Sequence, residues 1–270
     1  MISGNNLLLP IAISAAPRLP DGAAEHYAAV NGTRIWYARW PGHTSREPVL
    51  LLHGGLLNSN YFGYLIPALI THGYGVIAVD SRSQGRSPHL GGPITYDAME
   101  QDVVALLDYL QIQRVSVVGW SDGGIVGLQL AMHHSQRLTR VFAFGANAHP
   151  SGNIEDTDAM PSMVAHAALE REEYLGLSPT PADWPHVRAA VTHMWRTLPM
   201  ITGDQLGMIR VPTTVCAGQH DECIKPEHTR YIAAQVPNST LVILPNVSHF
   251  AMVQEPASFN QAILEFLDRQ

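Results

Sequence analysis

Short runs of β-branched and other apolar residues alternate along the chain with longer stretches whose apolar positions recur every three or four residues, a pattern that predicts an α/β protein. His26 to Val30 and Arg34 to Trp40 are joined by Asn31-Gly32, a dipeptide that accepts positive φ, and predict a hairpin. Val49 to His53, Gly75 to Asp80, Arg114 to Trp120 and Arg140 to Ala146 read as strands, apolar on both faces as a buried parallel sheet requires. Helices are predicted around Tyr61 to Thr71, over Tyr96 to Leu110, and from just after Ser121 to about His134. The alternation then stops. From Asn147 to about Met208 there is no strand-like run, and Pro150, Pro161, Pro179, Pro181, Pro185 and Pro199 punctuate short helical pieces. A structureless loop of that length is uncommon in a compact domain, so the segment predicts an inserted helical cap. The parent pattern resumes with a strand at Thr213 to Ala217, a helix near Pro226 to Gln235, a strand at Thr240 to Leu244 and a closing helix at Pro256 to Leu267. The layout is an irregular arm over 1–22, an α/β core over 23–146 and 209–270, and a cap over 147–208, without internal repeats.

Composition narrows the class. At 270 residues, 46% hydrophobic and 14% charged, the chain fits one large domain with a substantial core, and no apolar run approaches the roughly 18 residues of a membrane span. The net charge of −7 and the lack of a Lys/Arg cluster argue against nucleic acid as a partner; Lys225 is the only lysine. Cys216 and Cys223 have no His or Cys neighbours at zinc-site spacing and read as free thiols, with no metal or cofactor implied. Leu7 to Ala16 is apolar like the end of a secretory signal but lacks a basic n-region, which favours the cytoplasm over export. The expected partner is a small molecule, and the oligomeric state is open.

Gly119-Trp120-Ser121-Asp122-Gly123 is a G-x-S-x-G between a predicted buried strand and a predicted helix, the setting in which a sharp turn lifts a serine out of the sheet. Ser121 is the candidate nucleophile. Two backbone N–H groups are candidates for holding a developing oxyanion: that of Asp122, opening the next helix, and one in His53-Gly54-Gly55-Leu56, with Gly55 favoured over Leu56. A serine hydroxyl needs a general base and a carboxylate to orient it. Of fourteen histidines, His249 lies just past the last strand, on the sheet edge where α/β sites collect. Asp221 follows the preceding strand at the same edge, with Glu222 beside it as the rival acid.

From about Glu25 onward the chain resembles the α/β-hydrolase superfamily, and Gly119 to Gly124 (GWSDGG) is similar to its valacyclovir-hydrolase-like branch. The resemblance rests on His53-Gly54-Gly55, the segment Asp80 to Ser87, the Ser121 turn, Asp221 and His249, in the order Ser121, Asp221, His249 expected of that fold. It implies a mostly parallel sheet flanked by helices, a serine esterase activity, and an amine-binding role for the acid after the serine. Ser83 stands where the family's D-x-R-G-x-G-x-S has its first glycine, and Asn147 removes an alternative acid position. Serine rather than aspartate at the turn argues against epoxide hydrolase and haloalkane dehalogenase chemistry.

The cap holds eight acids (Glu155, Asp156, Asp158, Glu170, Glu172, Glu173, Asp183, Asp204) against Arg171, Arg188 and Arg196, an imbalance that would steer cationic substrates. Met160, Met163, Met194, Met200 and Met208, with Trp184 and Trp195, would line it adaptably. Leu56, Trp120, Trp184, Trp195 and Met194 are the candidate substrate contacts. Together these features suggest a bulky amine-bearing ester or lactone, a description that fits macrolide antibiotics, since macrolide esterases belong to the superfamily. Amino-acid ester hydrolysis, carbon–carbon bond hydrolysis and a non-catalytic small-molecule receptor on the same scaffold are the alternatives.

Overall fold

The computed structural model describes residues 15–43, 46–155, 157 and 160–269. Eight strands form one sheet: β1 (Ala24–Val30), β2 (Thr33–Trp40), β3 (Val49–Leu52), β4 (Val76–Asp80), β5 (Val115–Trp120), β6 (Leu138–Phe144), β7 (Thr213–Gly218) and β8 (Thr240–Leu244). Their spatial order is β1-β2-β4-β3-β5-β6-β7-β8, antiparallel where β2 meets β1 and β4 and parallel elsewhere. The helices are α1 (Leu65–Thr71), α2 (Tyr96–Tyr109), α3 (Asp122–His133), α4 (Pro161–Leu177), α5 (Trp184–Thr197), α6 (Gly203–Leu206), α7 (Pro226–Gln235), α8 (Ala251–Gln254) and α9 (Pro256–Asp268).

Alternation along each strand divides the core in two. Leu50, Leu52, Val117, Val141 and Val215 face α2, α3 and α7, while Val49, Leu51, Val118, Phe142 and Phe144 face α1 and α9. The β1–β2 turn has φ of 48° at Asn31 and 73° at Gly32, the pair of positive values that a two-residue hairpin loop needs. A buried ion pair, Arg82 Nε to Asp102 Oδ2 at 2.6 Å, joins the loop after β4 to α2.

Element boundaries move in two places. The helix expected from Tyr61 is split into a 3-10 turn at Ser59–Phe62 and α1 from Leu65. The strand expected over 140–146 runs from Leu138 and stops at Phe144, because Gly145 takes φ 60° and turns the chain off the sheet. Between β6 and β7 the described chain carries α4, α5 and α6 and no strand. The expected arm is irregular over its described part, 15–22, with Ala16 and Leu19 packed on the α1/α9 side. The apolar stretch from Leu7 falls almost wholly outside the described residues. Among the described residues no helix is long and apolar enough to cross a membrane.

Candidate active site

β5 delivers the chain to Ser121 and α3 leaves from Asp122, so one residue must make the whole reversal. Ser121 does so at φ 54°, ψ −118°, a conformation that costs a non-glycine residue roughly 1–3 kcal/mol. The turn is held from outside. Ser121 N–H donates to the Phe144 carbonyl (2.8 Å) and Gly123 N–H to the His53 carbonyl (3.1 Å). A Cβ on Gly119 would strike the Gly123 carbonyl, and one on Gly123 the Leu52 carbonyl, which is why glycine flanks the serine on both sides.

His249 and Asp221 reach this point from the loops after β8 and β7. Both are buried, and the His249 Nδ1–H lies 3.0 Å from each carboxylate oxygen of Asp221. Asp221 Oδ1 also accepts the N–H groups of Cys223 (2.9 Å) and Ile224 (2.8 Å). An ionised carboxylate only accepts, so the ring proton sits on Nδ1 and Nε2 is left as a base. Glu222, the rival acid, instead takes the backbone N–H of His249 on Oε2 at 2.9 Å. Burial by itself pushes the His249 pKa down. The charge and hydrogen bond of Asp221, with Glu222 and Asp122 behind them, more than offset this and hold it above the usual histidine value. Asp221, Cys223 and His249 also bring three metal-type donor atoms within 4.8 Å of one another, but the Asp221 and His249 donors are directed at each other.

The His53–Leu56 loop lies against the serine: a Cβ on Gly54 would come within 3.3 Å of Ser121 Cβ. Buried His53 accepts the Ser81 N–H on Nε2 (2.9 Å) and holds the Gly54 carbonyl with Nδ1 (2.7 Å), so it is structural. The N–H of Leu56 is spent on Gln84 Oε1 at 2.5 Å, which leaves Gly55 as the loop's candidate oxyanion donor beside Asp122. Gln84 belongs to the segment in which Ser83 replaces a glycine. Ser83 nonetheless adopts φ 63°, with its hydroxyl 2.9 Å from His89 Nδ1, so the departure from the motif preserves the loop.

Ser121, His249, Gly55 and Asp122 open on a cavity of about 790 Å³ roofed by α4 and α5. Of the five expected contacts, Leu56, Trp120 and Trp195 line it, and Trp184 and Met194 do not. Met194 is turned away by helical phase, and Trp184 lies about three turns earlier along α5, away from the cavity. Trp184, Val187, Val191 and Met194 form the buried, three-and-four-spaced stripe of α5, with Trp184 packed at a tilt against Tyr174, 5.2 Å between centroids. Trp195 lies one residue further round and faces the cavity. Of the methionines, Met163 lines it, while Met200 and Met208 are exposed to solvent.

The Asp122 side chain is occupied in a way the sequence did not suggest. Tyr96 Oη donates to Oδ1 (2.9 Å), and Trp195 Nε1 donates to Oδ1 (2.9 Å) and Oδ2 (3.1 Å), tying α5 to the start of α3. Burial among neutral donors raises the Asp122 pKa to about 6, although those bonds and the His249 charge pull the other way. The acid count of 147–208 does not carry over to the cavity. Glu173 is bound by Asn58 (2.7 Å) and Tyr61 (3.3 Å), Asp156 and Asp158 lie outside the described residues, and Arg188 and Arg196 both line the wall. At the rim, Lys225 Nζ donates to the Ser151 carbonyl (3.0 Å) and lies 4.0 Å from Glu155. His166 lines the wall on α4, edge-on to Phe250 at 4.3 Å, and burial lowers its pKa to about 4.

This arrangement of sheet, turn and loop acid can be set against known families, and a profile described as "Alpha/beta hydrolase family" matches residues 49–262. The chain belongs to the alpha/beta hydrolase family. Among relatives of this hydrolase, a protein named "Putative carbamate hydrolase RutD", from a Caulobacter species, is 30% identical over 84% of the chain and 92% of its own length. "Serine hydrolase BPHL" of Mus musculus is 26% identical over 88% of this chain and 84% of that protein. Among solved structures, the enol-lactonase from Burkholderia xenovorans superposes with a TM-score of 0.72 at 25% identity, covering 90% of this hydrolase and all (100%) of that chain.

Proposed function

We propose that this hydrolase cleaves a carboxylic ester or lactone through an acyl-enzyme on Ser121. His249 Nε2 takes the Ser121 proton as the oxygen attacks the carbonyl, and the N–H groups of Gly55 and Asp122 stabilise the negative charge that develops there. The protonated imidazole, held by Asp221, then gives its proton to the leaving alkoxide. In the second half a water loses a proton to His249, attacks the acyl carbon and frees the acid with Ser121 restored. Carbon–nitrogen cleavage in a carbamate follows the same course with an amine leaving, and the RutD relative supports keeping it as the second reading.

One observation carries the proposal: an imidazole whose Nδ1 is fixed by two carboxylate oxygens at 3.0 Å opens on the same cavity as a serine in strained backbone. In the same reading the segment 147–208 acts as the cap and the protein works in the cytoplasm. A volume near 790 Å³ suits a small to drug-sized substrate, with a macrolide lactone at the upper end. The enol-lactonase likeness supports a lactone among the substrates. The test is mass spectrometry of the protein incubated with simple esters, small lactones, carbamates, amino-acid esters and macrolides, alongside Ser121→Ala. The expected result is hydrolysis of at least one ester or lactone and a stable acyl adduct on Ser121 with a slow-leaving acyl group. Turnover that survives Ser121→Ala would refute the mechanism.

A further inference from the structure

The cavity's charges are unevenly matched. Of the acids lining it, Asp122 is held by Tyr96 and Trp195, Glu155 faces Lys225, and Glu170 sits 3.6 Å from His166 Nε2. The two lining arginines, Arg188 and Arg196, have no ion-pair or hydrogen-bond partner among the described residues. Their placement follows from α5. The stripe Trp184, Val187, Val191, Met194 fixes which side of the helix meets the core. Arg188, Thr192, Trp195 and Arg196, spaced by four, three and one, then fall together on the neighbouring face, and all four line the cavity.

We infer that Arg188 and Arg196 form an anion subsite in the α5 wall of the cavity, and that the preferred substrate is an ester or lactone bearing a free carboxylate away from the scissile bond. A guanidinium presents a planar fork that matches a carboxylate, and two of them two turns apart, with no carboxylate paired to either among the described residues, leave that role to the ligand. Thr192, between them, adds a hydroxyl that donates to the same oxygen atoms. The carboxylate would thus be gripped by α5, the helix that Trp195 ties to Asp122, so that binding the distant end of the substrate presses the roof toward the oxyanion donors. This sign is the reverse of the one suggested by the net charge of the cap, since the local pairing, and not the total, decides which charge lacks a partner.

The inference rests on the ester and lactone reading, and the experiment separates the two. The p-nitrophenyl monoester of glutaric acid is compared with its terminal primary amide, which is neutral and nearly isosteric, in the natural protein, Arg188→Gln, Arg196→Gln, the double variant, and Arg171→Gln as an exposed control on α4 that does not line the cavity. The carboxylate ester should have the higher kcat/KM by about tenfold or more, mainly through KM, and the double variant should erase that ratio, as should high salt in part. Arg171→Gln should leave it in place. Equal turnover of the two esters by the natural protein, or a ratio that persists in the double variant, would overturn the subsite. Binding is read independently by quenching of tryptophan fluorescence on titrating glutarate into Ser121→Ala with and without the two substitutions. Glutarate binding lost with the arginines supports the subsite even where neither ester is hydrolysed, and binding indifferent to them sinks it.

Discussion

Replacing Asp122 with asparagine should make the protein more stable in neutral solution and a poorer catalyst. The Asp122 carboxyl is 4% exposed and its pKa is raised from 3.8 to about 6, chiefly by burial. A shift of roughly two units corresponds to about 3 kcal/mol of differential interaction against the ionised form. The sign follows from proton binding. Between about pH 4 and 6 the folded protein holds a proton that the unfolded chain has released, so stability falls as pH rises through this window and stays lower above it. Asparagine has no such linkage. Both Tyr96 and one Trp195 contact reach Oδ1, so an amide oxygen placed there keeps those bonds, while the amide nitrogen meets Trp195 Nε1 in a donor–donor contact whose cost does not depend on pH. The informative quantity is therefore the difference between variant and natural protein, which should grow by about 2 kcal/mol in favour of the Asp122→Asn variant from pH 4.5 to 7.5, the rest of the linkage falling below that range. Urea denaturation at several pH values measures it through the midpoint and slope. A stability difference that is flat across that range would refute the assignment of a buried, charge-destabilised carboxyl. Activity should move the other way, because the Asp122 charge supports the His249 imidazolium.

Other outcomes test the rest of the site. The acid limb of kcat/KM should fall with an apparent pKa above 6.5, since only the neutral imidazole can accept a proton; Glu222→Gln should move that limb downward by removing a negative charge beside His249, as a pH–rate profile would show. Gly145→Ala should cut kcat by about 100-fold or more with modest unfolding, because the new Cβ would stand 2.6 Å from His249 Cε1 and 2.8 Å from Nδ1 and push the ring off Asp221; steady-state kinetics and a thermal melt separate the two effects. Arg82→Met alone should cost about 3–5 kcal/mol by stranding buried Asp102, while Arg82→Met combined with Asp102→Leu should cost clearly less, measurable as a double-mutant cycle.

The sheet and its flanking helices were legible in the sequence because buried parallel strands leave continuous apolar runs, and because turn residues such as Asn31-Gly32 mark where the chain reverses. The placement of Ser121, Asp221 and His249 at one sheet edge followed from their positions just after β5, β7 and β8. What the sequence concealed was phase and pairing. Met194 and Trp195 are neighbours in the sequence, yet the roughly 100° that one residue of α5 turns places one in the core and the other in the cavity wall. Counting acids could not show that Glu173 is bound by Asn58 and Tyr61, more than a hundred residues away in the chain, nor that Asp122 is capped by Tyr96 and Trp195. The left-handed backbone of Ser83 was likewise hidden, since only the hydrogen bond to His89 accompanies a serine standing in for glycine there.

Lys225 offers an experimental handle of a different kind. It is the only lysine in the chain, and its ammonium group stands at the mouth of the cavity, against the Ser151 carbonyl and near Glu155. Chemistry that acylates amines would therefore attach a fluorophore at a single side-chain address, without engineered cysteines, once the α-amino group has been blocked. A polarity-sensitive dye placed there would brighten or dim as the entrance fills and empties, turning ligand entry into an optical signal in the otherwise unaltered protein.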